Sequence, residues 1–317
     1  MTMDESQKNS KIDLLKELKF QSIEEAIKLS YAEILAGKKR ERIVFPTKWE
    51  KFNNNLLGGF NPGKLYTIGG RPGVGKSMFS NQLIFDVLDV DKQNNNRLLV
   101  LYWSFEMQGY QQILRIGSAK TSVSTFDLLS VKNILDDVTF NTYKHLMDKY
   151  KHYPVYFKNN AQNLKYVETV VKRIHEEYPN KTILNIFDHS RLFLKAKEQS
   201  ELEMLTQLSH LCIVLQQETK CINILLSQLN RNIEKPDRID QQYQPMLSDL
   251  FGADSLGQDS EAVIMLNRPY DLYNITRPYL GEDPVNLLAV HLEKNRNGNI
   301  GMIPFETDMK YFKLKER

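Results

Sequence analysis

Cysteine is nearly absent from this chain: its 317 residues carry two, Cys212 and Cys221, beside six histidines. Two thiols cannot build a disulfide framework or a four-ligand metal site, and no histidine stands at ligand spacing beside them, so both read as core thiols. No run of 18 apolar residues exists, which argues against a membrane-spanning helix. Met1 to Lys11 are polar, unlike a secretory signal, and read as disordered. A cytoplasmic protein with no membrane partner is expected. Charge of one sign is also missing, since 42 Lys and Arg stand against 39 Asp and Glu, a net of +3. Any polyanion partner has to be argued from local clusters rather than from the sum.

What the chain does carry is the stretch Gly70-Arg71-Pro72-Gly73-Val74-Gly75-Lys76-Ser77. It fits G-x-x-x-x-G-K-[ST], with strand-like Lys64-Leu65-Tyr66-Thr67-Ile68 before it and an apolar run from Met78 to Val90 after it. Glycines let the backbone bend until successive N–H groups face one anion, and the helix N-terminus adds partial positive charge. In that geometry Lys76 would reach the β- and γ-phosphates of a nucleoside triphosphate, and the Ser77 hydroxyl would ligate Mg²⁺. Gly70 through Met78 are the expected nucleotide cradle. The competing reading, a glycine-rich turn that happens to precede Lys-Ser, does not account for the flanking strand and helix.

From Ser22 the pattern Ser-Ile-Glu-Glu opens a capped helix, with Ile23, Ile27, Tyr31, Ile34 and Leu35 at helical spacing until Gly37 and the basic run Lys38 to Arg42. One apolar stripe needs a groove, on its own domain or on a neighbouring subunit. Further on, apolar runs at 97–103, 155–157, 183–187, 222–226, 262–266 and 286–292 read as strands. Helical segments over 107–150, 164–178 and 201–219 separate several of them. Asn297-Gly298 predicts a hairpin turn into a last strand pair. The alternation predicts an α/β fold, a mainly parallel sheet flanked by helices with antiparallel C-terminal edge strands.

Ligands of such sheets sit at the carboxyl ends of strands, where polar residues fall here. Asp188 ends one run and can hold a Mg²⁺-bound water behind the phosphates, or it merely caps a turn. Glu106 can polarise the water attacking a γ-phosphate, or be a surface glutamate. Buried in a phosphate cleft it would need Mg²⁺ or a lysine nearby to stay ionised. The Gln228 amide can donate to the γ-phosphate and accept from a neighbour, and so report whether the nucleotide is intact. Lys294 and Arg296 are either solvated charges or, if the ATP site lies between subunits, an arginine-finger pair worth roughly 10³ or more in rate.

Several motifs in a fixed order extend this pattern: Phe60-Asn61-Pro62-Gly63, Trp103-Ser104-Phe105-Glu106-Met107, Asp188, Leu226-Ser227-Gln228-Leu229-Asn230-Arg231, Leu247-Ser248-Asp249-Leu250, Gln258-Asp259-Ser260-Glu261-Ala262-Val263 and Lys294-Asn295-Arg296-Asn297-Gly298. With them the chain from about Val44 to Lys315 resembles the C-terminal, RecA-like ATPase domain of DnaB-type replicative helicases. The resemblance implies a RecA-like P-loop NTPase fold and an ATP-hydrolysing, Mg²⁺-dependent helicase. It further implies a homohexameric ring on single-stranded DNA, with replication-fork proteins as partners. In it Lys76 and Ser77 bind phosphate and Mg²⁺, Glu106 is the catalytic base, Asp188 the Walker B carboxylate and Gln228 the sensor. Lys294 and Arg296 reach the next subunit's ATP.

By the same resemblance residues 1–43 are a tail and a linker helix, and 44–317 the ATPase domain. The family's N-terminal collar domain is not expected, and primase binding with it. The DNA-contacting loop after Ser-Asp-Leu reads Phe251-Gly252-Ala253-Asp254 where the family usually has Arg-Glu-Ser-Gly. One phosphate contact is lost there, although loop N–H groups can still hold phosphate oxygens, and Asp254 would repel them if turned inward. Lys195, Lys197, Arg231, Lys235 and Arg238 are the other candidates for strand contact. Two further readings compete: a RadA- or KaiC-like ATPase that acts in recombination or on proteins without unwinding, and an assembly subunit holding ATP as a structural ligand.

Overall fold

The computed structural model describes residues 18, 20–132, 135–188, 193–195 and 197–317, so the disorder expected over Met1 to Lys11 lies outside the described residues. Two compact units divide the chain, residues 1–43 and 44–317. In the first, helix Ile23–Lys38 starts as its sequence dictates. The Glu25 N–H donates to the Ser22 hydroxyl at 3.2 Å, and the Ser22 N–H donates to the Glu25 carboxylate at 2.9 Å. None of its residues is buried, and Ile23, Ile27, Tyr31, Ile34 and Leu35 are all exposed.

The second unit is built on one sheet of β1 (Leu65–Gly70), β2 (Leu98–Ser104), β3 (Val155–Lys158), β4 (Thr182–Asp188), β5 (Ile222–Gln228), β6 (Ala262–Asn267), β7 (Leu287–Asn295), β8 (Gly301–Asp308) and β9 (Lys313–Glu316). Their spatial order is β3-β2-β4-β5-β1-β6-β7-β8-β9. The first six in that order run parallel, and β7 to β9 are antiparallel. β1, β2 and β6 are buried at every position, which is why β2 and β6 read as unbroken apolar runs. Helix Lys76–Val90 covers one face together with an aromatic cluster of Trp49, Phe52, Phe60, Phe79 and Phe305. Helices Leu164–Glu177 and Glu201–Thr219 cover the other.

A row of buried amides crosses three strands of this apolar sheet. Trp103 Nε1 donates to Asn185 Oδ1 at 3.3 Å, Asn185 Nδ2 to Asn223 Oδ1 at 2.9 Å, and Asn223 Nδ2 to the Cys212 carbonyl at 3.1 Å. Two local expectations are refined. The helical stretch over 107–150 contains three helices, Gly109–Thr121, Thr125–Leu129 and Asp137–Asp148, because Ser124 and Asp136 each accept a backbone N–H three residues on and start a new helix. The hairpin between β7 and β8 exists, but Gly298 has no left-handed φ. It is needed for close approach, since a Cβ there would stand 2.2 Å from the Asn55 carbonyl oxygen.

Candidate active site

The carboxyl ends of β1, β4 and β5 and the bend after β2 border a cleft of about 320 Å³. Its floor is the P-loop. Gly73 (φ +79°) and Gly75 (φ +108°) hold the left-handed conformations that let the loop reverse, and Gly75 caps helix Lys76–Val90. Lys76 Nζ donates to the Gly70 carbonyl at 2.8 Å and the Arg71 carbonyl at 3.3 Å. Burial lowers its ammonium to about 8, against the opposing pull of Asp188 and Glu106.

Asp188 is 2% exposed. Burial raises its pKa, while hydrogen bonds from Ser77 and Tyr102 and the charge of Lys76 oppose the rise. Tyr102 Oη lies 3.1 Å from Asp188 Oδ2 and 2.9 Å from Ser80 Oγ. Its phenol, pushed well up by burial and by Asp188, stays a donor to the carboxylate. A hydroxyl and a carboxylate in contact at the helix start are a donor set that would suit a Mg²⁺ ion. Among the described residues no cluster of three or more His, Cys, Asp or Glu offers a metal a cage of its own.

Gln228 pairs in register with Gly70 and borders the cleft. Glu106 borders it too, but the bend after β2 leaves it exposed rather than buried in the cleft. The structure adds three residues that no motif pointed to: Arg115, Met309 and Phe312. The Arg115 guanidinium stands 5.0 Å from the Phe312 ring centroid and feels the charges of Asp188 and Glu106.

Lys294 and Arg296 are not in this cleft. β7 pairs Lys294 with Val263 at the start of β6, and the Arg296 N–H donates to the Glu261 carbonyl, so both lie at the amino edge of the sheet. The six residues of β1 put about 17 Å between the two edges. Lys294 Nζ donates to the carbonyls of Gly257 (2.5 Å) and Gln258 (2.9 Å), and Arg296 Nη2 to that of Gln258.

Of the candidates for strand contact, Arg231 and Lys235 are exposed in the loop after β5, and Lys195, Lys197 and Asp254 are exposed as well. Phe251 is half-buried against the core, and Gly252 caps the short helix Ala253–Asp259. Arg238 has to be withdrawn. It is buried, with Nη1 and Nη2 bonded to the two oxygens of Asp249 at 3.0 and 2.9 Å, and a fold-internal pair of this kind leaves no guanidinium for a phosphate.

A glycine-rich loop at a helix N-terminus, with a buried carboxylate at the end of the parallel strand next but one, defines a RecA-like P-loop NTPase fold. The model of the DnaB-like helicase C-terminal domain matches residues 45–316, and the chain belongs to that family. A probable replicative DNA helicase of Trieres chinensis is 27% identical over 265 residues, which cover 82% of this chain and 55% of that one. The replicative DNA helicase DnaB of Geobacillus stearothermophilus is 24% identical over 301 residues, 93% of this chain and 62% of its own length. The chain spans about half the length of the curated relatives it matches. Two solved structures share the fold: an ATPase domain (TM-score 0.79, 20% identity, covering 93% of this chain and 98% of that one) and a DnaB-like replicative helicase (TM-score 0.76, 21% identity, covering 93% and 67%).

Proposed function

We propose that this chain hydrolyses ATP to drive movement along single-stranded DNA, as the motor of a replicative DNA helicase in the cytoplasm. The observation that carries the reading is the convergence of Lys76, Ser77, Asp188, Glu106 and Gln228 on one cleft, with Lys294 and Arg296 on the opposite edge of the same sheet. The P-loop N–H groups receive the phosphates, and Lys76 exchanges its loop carbonyls for phosphate oxygens. Ser77 and Asp188 would hold a Mg²⁺ ion, which would supply charge neutralisation to the phosphates. Glu106 accepts the proton of the attacking water, and the Gln228 amide contacts the γ-phosphate. The two edges make each chain half of one site and half of the next. That head-to-tail arrangement closes into a ring, a hexamer by family, in which Lys294 and Arg296 serve the neighbour's ATP.

Arg231, Lys235, Lys195, Lys197 and the backbone of 251–254 supply the strand contacts, and proteins of the replication fork are the expected partners. Among the described residues no helix is long and apolar enough to cross a membrane. One observation favours a second reading, a RecA-like ATPase that does not unwind: the 251–254 loop holds no cation, and Arg238 is committed to Asp249. ATP turnover with and without oligonucleotide, beside strand separation on a forked duplex, distinguishes the two. Lys76→Ala abolishes nucleotide binding, while Arg296→Ala keeps binding and lowers turnover by roughly 10³. Normal turnover in Arg296→Ala sinks the shared site.

A further inference from the structure

One ion pair fastens the P-loop to the loop after β5. Arg71 turns its guanidinium away from the phosphate cleft: Nε and Nη2 donate to Glu234 Oε1 at 2.8 and 2.5 Å, and Nη1 donates to the Leu229 carbonyl at 3.0 Å. Leu229 directly follows Gln228, and its own N–H donates to the Gly70 carbonyl at 3.4 Å. The Arg71 backbone is engaged from the other side, because its carbonyl accepts from Lys76 Nζ. The side chain that a triphosphate would recruit and the side chain that holds the β5 loop thus belong to neighbouring points of one short loop.

The β5 loop is in turn tied to the segment beyond it. The Asn230 N–H donates to the Asp249 carbonyl at 2.7 Å, and the Phe251 N–H to the Gln228 carbonyl at 3.0 Å. Glu234 itself lies between the exposed cations Arg231 and Lys235.

We infer that Arg71 and Glu234 form a latch through which nucleotide at the P-loop sets the position of residues 229–238, with Glu234 as a positioning residue. The inference rests on the nucleotide-site reading above and assigns that site an output. Phosphate oxygens draw Lys76 off the Arg71 carbonyl, which frees the Arg71 backbone to shift. Its planar fork, bonded to both Glu234 and the Leu229 carbonyl, carries the loop with it. A coupling of this kind is reciprocal: a polyanion on Arg231 and Lys235 alters nucleotide affinity by the same factor.

Hydrogen exchange of the full chain tests it, read in segments 70–78 and 229–238 with and without a non-hydrolysable ATP analogue. In the unaltered protein both segments change their exchange on nucleotide binding, by about fivefold or more. Glu234→Gln keeps the change in 70–78 and loses it in 229–238, and Glu234→Asp, which retains the charge, restores at least part of it. A response of 229–238 that persists in Glu234→Gln overturns the latch, as does a wild-type loop that stays unmoved while the P-loop is protected. A P-loop that itself shows no protection removes the nucleotide-site reading and the latch together. A wild-type loop response without stimulation of turnover by single-stranded DNA leaves the latch standing and refutes only the translocase reading.

Discussion

Raising the pH through 8 is expected to weaken nucleotide binding by way of Lys76. Its ammonium, lowered by burial to about 8, donates to two loop carbonyls rather than to a carboxylate. A triphosphate adds negative charge around Nζ and pulls its pKa back up, so binding takes up a proton wherever the free protein has lost one. Affinity is therefore flat below pH 8 and falls as the pH rises through it. With a midpoint of about 8, roughly nine-tenths of the molecules carry the charge at pH 7 and about one-tenth at pH 9, so Kd rises about tenfold, or ~1.4 kcal/mol.

Stability moves the other way, which separates the two effects. The folded pKa lies below the unfolded value, so the cost of burying the ammonium is fully present below pH 8 and is relieved as the pH rises from 8 toward 10.5. Weaker binding at pH 9 then cannot come from unfolding at this residue. Calorimetric titration with a non-hydrolysable analogue, in buffers of different ionisation enthalpy, reads both affinity and proton uptake. Lys76→Arg, charged throughout the range, binds without the slope. A wild-type affinity constant from pH 7 to 9, or the same slope in Lys76→Arg, refutes the reasoning.

Arg238→Ala strands the buried Asp249 carboxylate and costs about 3–5 kcal/mol in urea unfolding, whereas a strand-contacting arginine would leave stability unchanged and lower the salt dependence of DNA binding instead. Gly298→Ala forces a Cβ toward the Asn55 carbonyl and is expected to cost about 1–3 kcal/mol, read as a lowered Tm, and an unchanged Tm would show that the turn yields freely.

The P-loop and the strand-end residues Asp188 and Gln228 were legible because each is fixed by a local pattern: an apolar run, then a turn, then one polar residue. The mainly parallel sheet followed from the same runs. Arg115, Met309 and Phe312 carry no such signal. Phe312 precedes the far edge strand, and only the return of the β8–β9 turn over helix Lys76–Val90 brings it to the cleft. Arg238 read as a free cation because its partner Asp249 lies eleven residues on, with no periodic relation between them. The exposure of Glu106 depends on a bend of three residues after β2, a level of detail that residue type does not encode.

The buried amide row has a bearing on the cleft that it never touches. β2, β4 and β5 are enclosed on both faces, so sliding one strand by a residue would exchange one apolar contact for another at most positions and be only weakly resisted. The slide would, however, pull Asn185 off Asn223 and strand amides that have no water to turn to, at about 1–3 kcal/mol for each. In the one alignment that satisfies them, Ser104 stands level with Asp188 and Phe187 with Leu225. Asn185 and Asn223 thus act as dowels: they level the strand tips from inside the core, and a substitution at either would reach the cleft as an error of alignment.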